Sequence, residues 1–233
     1  MHFIGLFSPI KKKVIFESFH GAQYSDNPRA ISEKLHENLP DYKIVWVTKD
    51  ILSKNVLPNY VTTVKTHSLR YYSEFSSSFA FVTNEAIEPD IYKKRNQFFV
   101  QTWHGDRAFK KVLYDAHEGK KRPIPIMDNN VTDVCVSGSN YGNDTYRRSF
   151  GYNGKILMVG SPRNDILLNA PKDLYSQVRM ELGIPEQAKI LLYAPTYRKI
   201  KTKQAILVDL NRLYNYLFSK GENWIILLRA HSL

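Results

Sequence analysis

Short apolar runs alternate along the chain with segments whose apolar residues recur at helical spacing. Val-Ile-Phe at 14–16 predicts a strand, and the polar stretch 17–27 after it a loop. Pro28 stands where a first helical turn tolerates proline. Ala30, Ile31, Leu35 and Leu39 then share one helical face, which predicts a helix over 29–39. The same reading predicts strands at 43–48, 61–65, 79–83, 97–102, 132–137 and 155–159, with helices at 68–75 and 139–150. The strand runs are apolar at nearly every position, as in strands buried on both faces of a parallel sheet. Their alternation with helices predicts βαβ units and a doubly wound α/β domain over residues 1–159.

Gly160-Ser161-Pro162 breaks the pattern, so 160–170 reads as an interdomain linker. A second unit follows over 171–233. It has a helix at 174–182 ending before Gly183, strands at 189–193 and 224–228, and a helix at 208–219 between them. Two strands are fewer than the roughly four to six of a usual open sheet. Either the second unit packs onto the first, or it is expected to be an incomplete domain with partly uncovered apolar faces.

Composition narrows the class of protein. At 233 residues, 43% hydrophobic and 24% charged, the chain suits one or two globular domains and not a disordered polymer. A single cysteine, Cys135, excludes an internal disulfide and a multi-cysteine zinc site. The histidines lack close metal-ligand spacing, and there is no Walker loop, G-x-G-x-x-G or G-x-S-x-G. No metal or cofactor is expected. Lys and Arg number 33 against 22 Asp and Glu, a net charge of +11 that favours an anionic partner. No recognisable nucleic-acid module accompanies the charge, so nucleic acid is not the expected partner. No run approaches the roughly 18 apolar residues of a spanning helix. The first residues place lysines after a short apolar run, the reverse of a secretory signal. The expectation is a cytoplasmic protein, soluble or peripheral to the membrane.

Five motifs stand at strand ends or at the linker. Gln101-Thr102-Trp103-His104-Gly105-Asp106 follows a buried strand directly. Ligands of doubly wound sheets bind at the carboxyl ends of strands, and histidine is the usual general base near neutral pH. Tyr24-Ser25-Asp26-Asn27-Pro28-Arg29 joins the first strand to its helix, where Asp26 or Asn27 can cap the helix or its open amides can meet an anion. Arg163, in Gly160-Ser161-Pro162-Arg163-Asn164-Asp165, could reach a phosphate between domains. Tyr193-Ala194-Pro195-Thr196-Tyr197-Arg198 leads into Lys199, Lys201 and Lys203, a cationic loop that is either phosphate-binding or a solvated charge run. Arg107–122 is a second basic stretch. Arg229-Ala230-His231 lies just past the last strand.

In this order, the motifs YSDNPRA, QTWHG, GSPRND, YAPTYR and R-x-H resemble those of the CDP-glycerol glycerophosphotransferase family of teichoic acid synthesis, over nearly the whole chain. The resemblance implies a GT-B-like fold with an acceptor-side and a CDP-donor-side Rossmann-like domain. It implies transfer of glycerol phosphate, or a related alditol phosphate, from CDP-glycerol to a hydroxyl of a lipid-linked acceptor, at the cytoplasmic face of the membrane. His104 and His231 would be the catalytic histidines. Asp26, Asn27, Arg29, Trp103, Gly105, Arg163, Thr196, Arg198 and Arg229 would bind substrate. The chain departs from the family pattern at Asp106-Arg107 and Ser232, where Thr-Pro and Pro are common. The family's donor domain also continues past R-x-H. A second expectation follows: a truncated, non-catalytic relative that holds only acceptor or membrane and binds CDP-glycerol poorly.

Overall fold

The computed structural model describes residues 8–49, 57–86, 91–105, 111–116, 129–195 and 208–229. They divide into two compact units, Met1–Asn169 and Ala170–Leu233. The first holds strands β1 (Lys11–Glu17), β2 (Lys43–Thr48), β3 (Val61–Lys65), β4 (Ser78–Thr83), β5 (Phe98–Gln101), β6 (Val134–Ser137) and β7 (Lys155–Met158). They pair in parallel in the order β3-β2-β1-β4-β5-β6-β7. Helices α1 (Asp26–Asn38), α2 (Leu69–Ser76), α3 (Asn140–Ser149) and the single turn α4 (Asp165–Leu168) complete the unit.

Strand alternation builds a core on each face of the sheet, because successive side chains point to opposite sides. Ile15 lies with Val45, Val47, Phe81 and Phe99 on one face, under Tyr71 and Phe75 of α2. Val14 and Phe16 lie with Ile44, Trp46, Ala80 and Val82 on the other, where Tyr24 joins them. The register keeps each row level: Ile15 pairs with Val45 and Phe81, and Phe81 with Phe99. Helix α2 starts with the Ser68 side chain accepting the Tyr71 N–H, as an N-cap serine does.

Two boundaries differ from expectation. Strand β1 begins at Lys11, three residues before its apolar run. Lys13 is buried there because Glu74 Oε2 and Ser77 Oγ each accept from its ammonium at 2.6 Å. The expected linker 160–170 is folded rather than free through Asn169. Pro162–Asn164 makes a 3-10 turn, α4 follows, and the Arg163 N–H donates to Asn27 Oδ1 of α1 at 3.1 Å.

The second unit contains α5 (Leu174–Glu181), β8 (Lys189–Tyr193), α6 (Leu210–Phe218) and β9 (Trp224–Leu228). β8 and β9 pair in parallel. Arg179 fastens α5 to the start of β8 by donating to the carbonyls of Pro185 and Ala188 at 2.6 and 3.0 Å. Asp209 caps α6 by accepting the Arg212 N–H.

Candidate active site

The strand order changes direction at β1, with β2 and β3 to one side and β4 onward to the other. At such a point the loops leaving adjacent strands diverge and open a crevice at the carboxyl edge, the usual ligand site of open α/β sheets. Three loops of the first unit meet there, after β1, β4 and β5. The β1 loop contains a 3-10 turn, Phe19–Gly21. The Phe19 N–H donates to Asn84 Oδ1 at 2.9 Å, and Asn84 Nδ2 donates to Ser18 Oγ at 3.2 Å. This buried asparagine ties the end of β4 to the end of β1.

The β5 loop carries Trp103 and His104. Trp103 is buried against Phe150, the residue that follows α3, edge to face at 5.0 Å. Sequence reasoning places Trp103 among substrate contacts; in the fold it is the floor on which His104 stacks, at 4.4 Å between centroids. Gln101, fully buried, locks the loop: its Nε2 donates to the Glu85 carbonyl at 2.7 Å and its Oε1 accepts the Trp103 N–H at 2.8 Å. The His104 ring stays partly exposed. Its Nε2 lies 4.0 Å from Glu85 Oε1, the other carboxylate oxygen lies 3.6 Å from His20 Nε2, and His20 Nδ1 lies 3.7 Å from Glu17 Oε1.

The start of α1 closes the other side. Asn27 does not cap the helix with its side chain. Its Nδ2 donates to the Trp103 carbonyl at 3.2 Å, while its Oδ1 takes the Arg163 N–H. Asp26 accepts the Arg163 guanidinium through Oδ2 at 2.8 Å, and the same Nη1 donates to the His104 carbonyl at 3.0 Å. Arg163, expected to reach for a phosphate, thus hooks the His104 backbone to α1. Gly105 is needed beside it: φ is +138° and a Cβ would come within 3.0 Å of Arg163 Nη2. Arg29 pairs with Glu33 at 2.8 Å and lies over Tyr24. With Ser25, Asp26 and Arg163 it lines a groove of about 480 Å³ between α1 and 162–169.

Backbone strain concentrates here. Of six non-glycine residues with positive φ among those described, Phe19, His20, Asp26 and Trp103 belong to these loops. Such conformations persist where the surroundings over-determine them, commonly at functional sites. Among the described residues no three His, Cys, Asp or Glu side chains form a metal cage. Cys135 is inert, its thiol pushed up to about 12 by burial.

The structure thus joins Asp26, Asn27, Trp103, His104, Gly105 and Arg163 at one edge. Arg229 lies in the second unit, its N–H donating to the Tyr193 carbonyl at 3.0 Å beyond β9. Thr196, Arg198 and His231 lie outside the described residues. Sequence reasoning missed His20, Glu85 and Glu17, and it placed Gln101 in the histidine motif without a role. Strand-end placement marks the first two as it marks His104, for they follow β1 and β4.

These features define a Rossmann-like α/β protein with a histidine site at the switch point of its sheet. The chain belongs to the CDP-glycerol:poly(glycerophosphate) glycerophosphotransferase family, whose model matches residues 1–233. It is 33% identical to a teichoic acid poly(glycerol phosphate) polymerase of Staphylococcus epidermidis, over 95% of this chain and 32% of the relative. The solved wall teichoic acid polymerase TagF, in a histidine-to-alanine variant, superposes with a TM-score of 0.82 at 32% identity. That match covers 96% of this chain and 57% of the other. A histidine-to-asparagine variant of that polymerase soaked with CDPG superposes at 0.80 and 31% identity, over 95% of this chain and 57% of the other. The GT-B-like fold class is borne out by these matches. The chain spans about a third of the length of the first curated relatives it matches.

Proposed function

We propose that this chain acts in the transfer of glycerol phosphate from CDP-glycerol to a hydroxyl of a lipid-linked acceptor, in the synthesis of teichoic acid or a related cell-surface polymer. Family membership and the names of the relatives support the reaction class. The observation that carries the site assignment is His104, held at the carboxyl end of β5 at the switch crevice by Gln101, Asn27 and Arg163.

In this reading His104 takes the acceptor hydroxyl proton. The oxygen attacks the phosphorus bearing the glycerol, a new P–O bond forms, and the bond to CMP breaks so that CMP leaves. Negative charge shifts among phosphate oxygens, so cations and amide donors supply most of the stabilisation. Arg198, Arg229 and His231, with Thr196, are assigned to the donor phosphates. Asp26, Asn27 and Arg163 set the His104 loop, and Arg29 faces the acceptor groove. No metal or cofactor takes part in these steps.

The test is CMP release from CDP-glycerol with and without a lipid-linked teichoic acid precursor. Acceptor-dependent release is expected. Binding of acceptor with no release would overturn transfer by this chain and favour the non-catalytic alternative.

A lipid-linked acceptor requires work at the membrane face, and no helix among the described residues is long and apolar enough to cross a membrane. The reading is therefore peripheral attachment at the cytoplasmic face through the +11 charge, each exposed Lys or Arg near anionic lipid contributing about 1 kcal/mol. Cosedimentation with anionic vesicles is expected at low salt. It should be lost near 1 M salt, where the Debye length is about 3 Å. Salt-independent binding, or none at low salt, would contradict it.

A further inference from the structure

We propose that Glu85 is the positioning residue of His104, and that His20 holds the Glu85 carboxylate in that role. The inference rests on the reading of His104 as the proton acceptor and adds residues which that reading does not use. The two oxygens of one carboxylate face two imidazoles: Oε1 lies 4.0 Å from His104 Nε2, and Oε2 lies 3.6 Å from His20 Nε2. His20 in turn faces Glu17 Oε1 through Nδ1 at 3.7 Å. Carboxylate and imidazole alternate from the end of β1 to the end of β5.

The placement is built rather than incidental. The Glu85 N–H donates to Thr83 Oγ1 at 3.1 Å, and its carbonyl accepts from Gln101 Nε2 at 2.7 Å. That same buried glutamine holds the Trp103 N–H, so one amide fixes both the carboxylate-bearing and the imidazole-bearing loop. The β1 loop bends to deliver His20, with φ of 49° at Phe19 and 51° at His20. Gly21 then packs so close to β2 that a Cβ would sit 2.9 Å from the Lys49 nitrogen. An L residue with a side chain adopts these angles only under such constraint.

A general base is commonly oriented by a third group on its far side. Here a carboxylate opposite Nε2 keeps the proton on that nitrogen, leaves Nδ1 to accept, and stabilises the imidazolium once formed. A separation of 4.0 Å exceeds a hydrogen bond, and catalytic contacts in unliganded sites often tighten when substrate binds. Among the described residues, the charged groups about His104 are Glu85 after β4, His20 and Glu17 from the β1 side, and Arg163 on its carbonyl with Asp26 behind it.

The experiment compares the full chain with Glu85→Gln, His20→Gln, the double variant and His104→Ala, with CMP release measured across pH. Glu85→Gln keeps the side-chain shape and removes the charge. It is expected to lower kcat about a hundredfold with KM nearly unchanged, and to move the acid limb of the kcat profile to lower pH. His20→Gln should give a smaller loss in the same direction, and the double variant less than the product of the two. Independently of turnover, the NMR titration of the His104 ring should move to lower pH in Glu85→Gln. An unmoved acid limb and ring titration would overturn the inference even if kcat fell, since a structural role alone lowers kcat. Equal CMP release by wild type and His104→Ala would instead overturn the assignment of His104, and the ring titration would still decide the link to Glu85.

Discussion

Replacing His104 with alanine is expected to lower acceptor-dependent CMP release by about 10²–10⁴, the usual contribution of a general base, while leaving the fold intact. The tolerance of the fold follows from where the loop is anchored. Trp103 supplies the buried ring, and Gln101 and Asn27 bind the Trp103 main chain. Arg163 binds the His104 carbonyl, which alanine retains. What alanine removes is a partly exposed imidazole stacked on Trp103 and facing Glu85. Far-UV circular dichroism and a urea melt serve as folding controls. Release at the wild-type rate by a folded His104→Ala protein would sink the role.

The first unit is legible in the sequence because strands β1, β2, β4 and β6 are buried on both faces. Runs such as Val14–Phe16 and Lys43–Thr48 have nearly no polar interruption, and the observed elements begin and end within a few residues of expectation. Burial itself was harder to foresee where it depends on a distant partner. Nothing near Lys13 announces that Glu74, 61 residues away, will neutralise it inside β1. The site divides the same way. His104 stands out because its strand, its glycine and its tryptophan are contiguous. His20 and Glu85 come from separate loops, and only the parallel pairing of β1 with β4 brings them together. Asn27 reads as a helix cap from its place before Pro28. Its actual work, bridging Trp103 and Arg163, requires knowing that residues 103 and 163 arrive at the same edge. Arg163 was legible as a cation at the end of the last strand of the unit, but its target is a carboxylate and a carbonyl of the same unit.

The largest expected effect on stability is at the buried pair Lys13–Glu74. Glu74→Gln should destabilise the first unit by about 3 kcal/mol or more, since removing one partner of a buried ion pair typically costs about 3–5 kcal/mol. The Lys13 side chain is 5% exposed and that of Glu74 16%, so water replaces little of the lost charge. Burial already holds the Lys13 ammonium below its ordinary pKa, against the opposing pull of Glu74. Without the carboxylate, only Ser77 Oγ remains to accept from it, while Lys43 and Arg70 still stand close by at 3.7 and 3.8 Å from the same site. For Glu74 burial pushes the carboxyl up, but the hydrogen bond and charge of Lys13, with Lys43 and Arg70, outweigh it and hold the group below the usual carboxylate range. A depressed carboxyl contributes stability that is complete above its unfolded pKa, about 4.3, and is lost as pH falls through the folded value. The gap between wild type and Glu74→Gln in urea denaturation should therefore be full at neutral pH and narrow in acid. Adding Lys13→Met to Glu74→Gln should recover most of the loss, because a buried pair exchanged for apolar and neutral groups is often neutral in stability. The double-mutant cycle isolates the pair. A neutral-pH gap within about 0.5 kcal/mol, the range of ordinary surface substitutions, or one that persists unchanged in acid, would show that the ammonium is held by something other than Glu74.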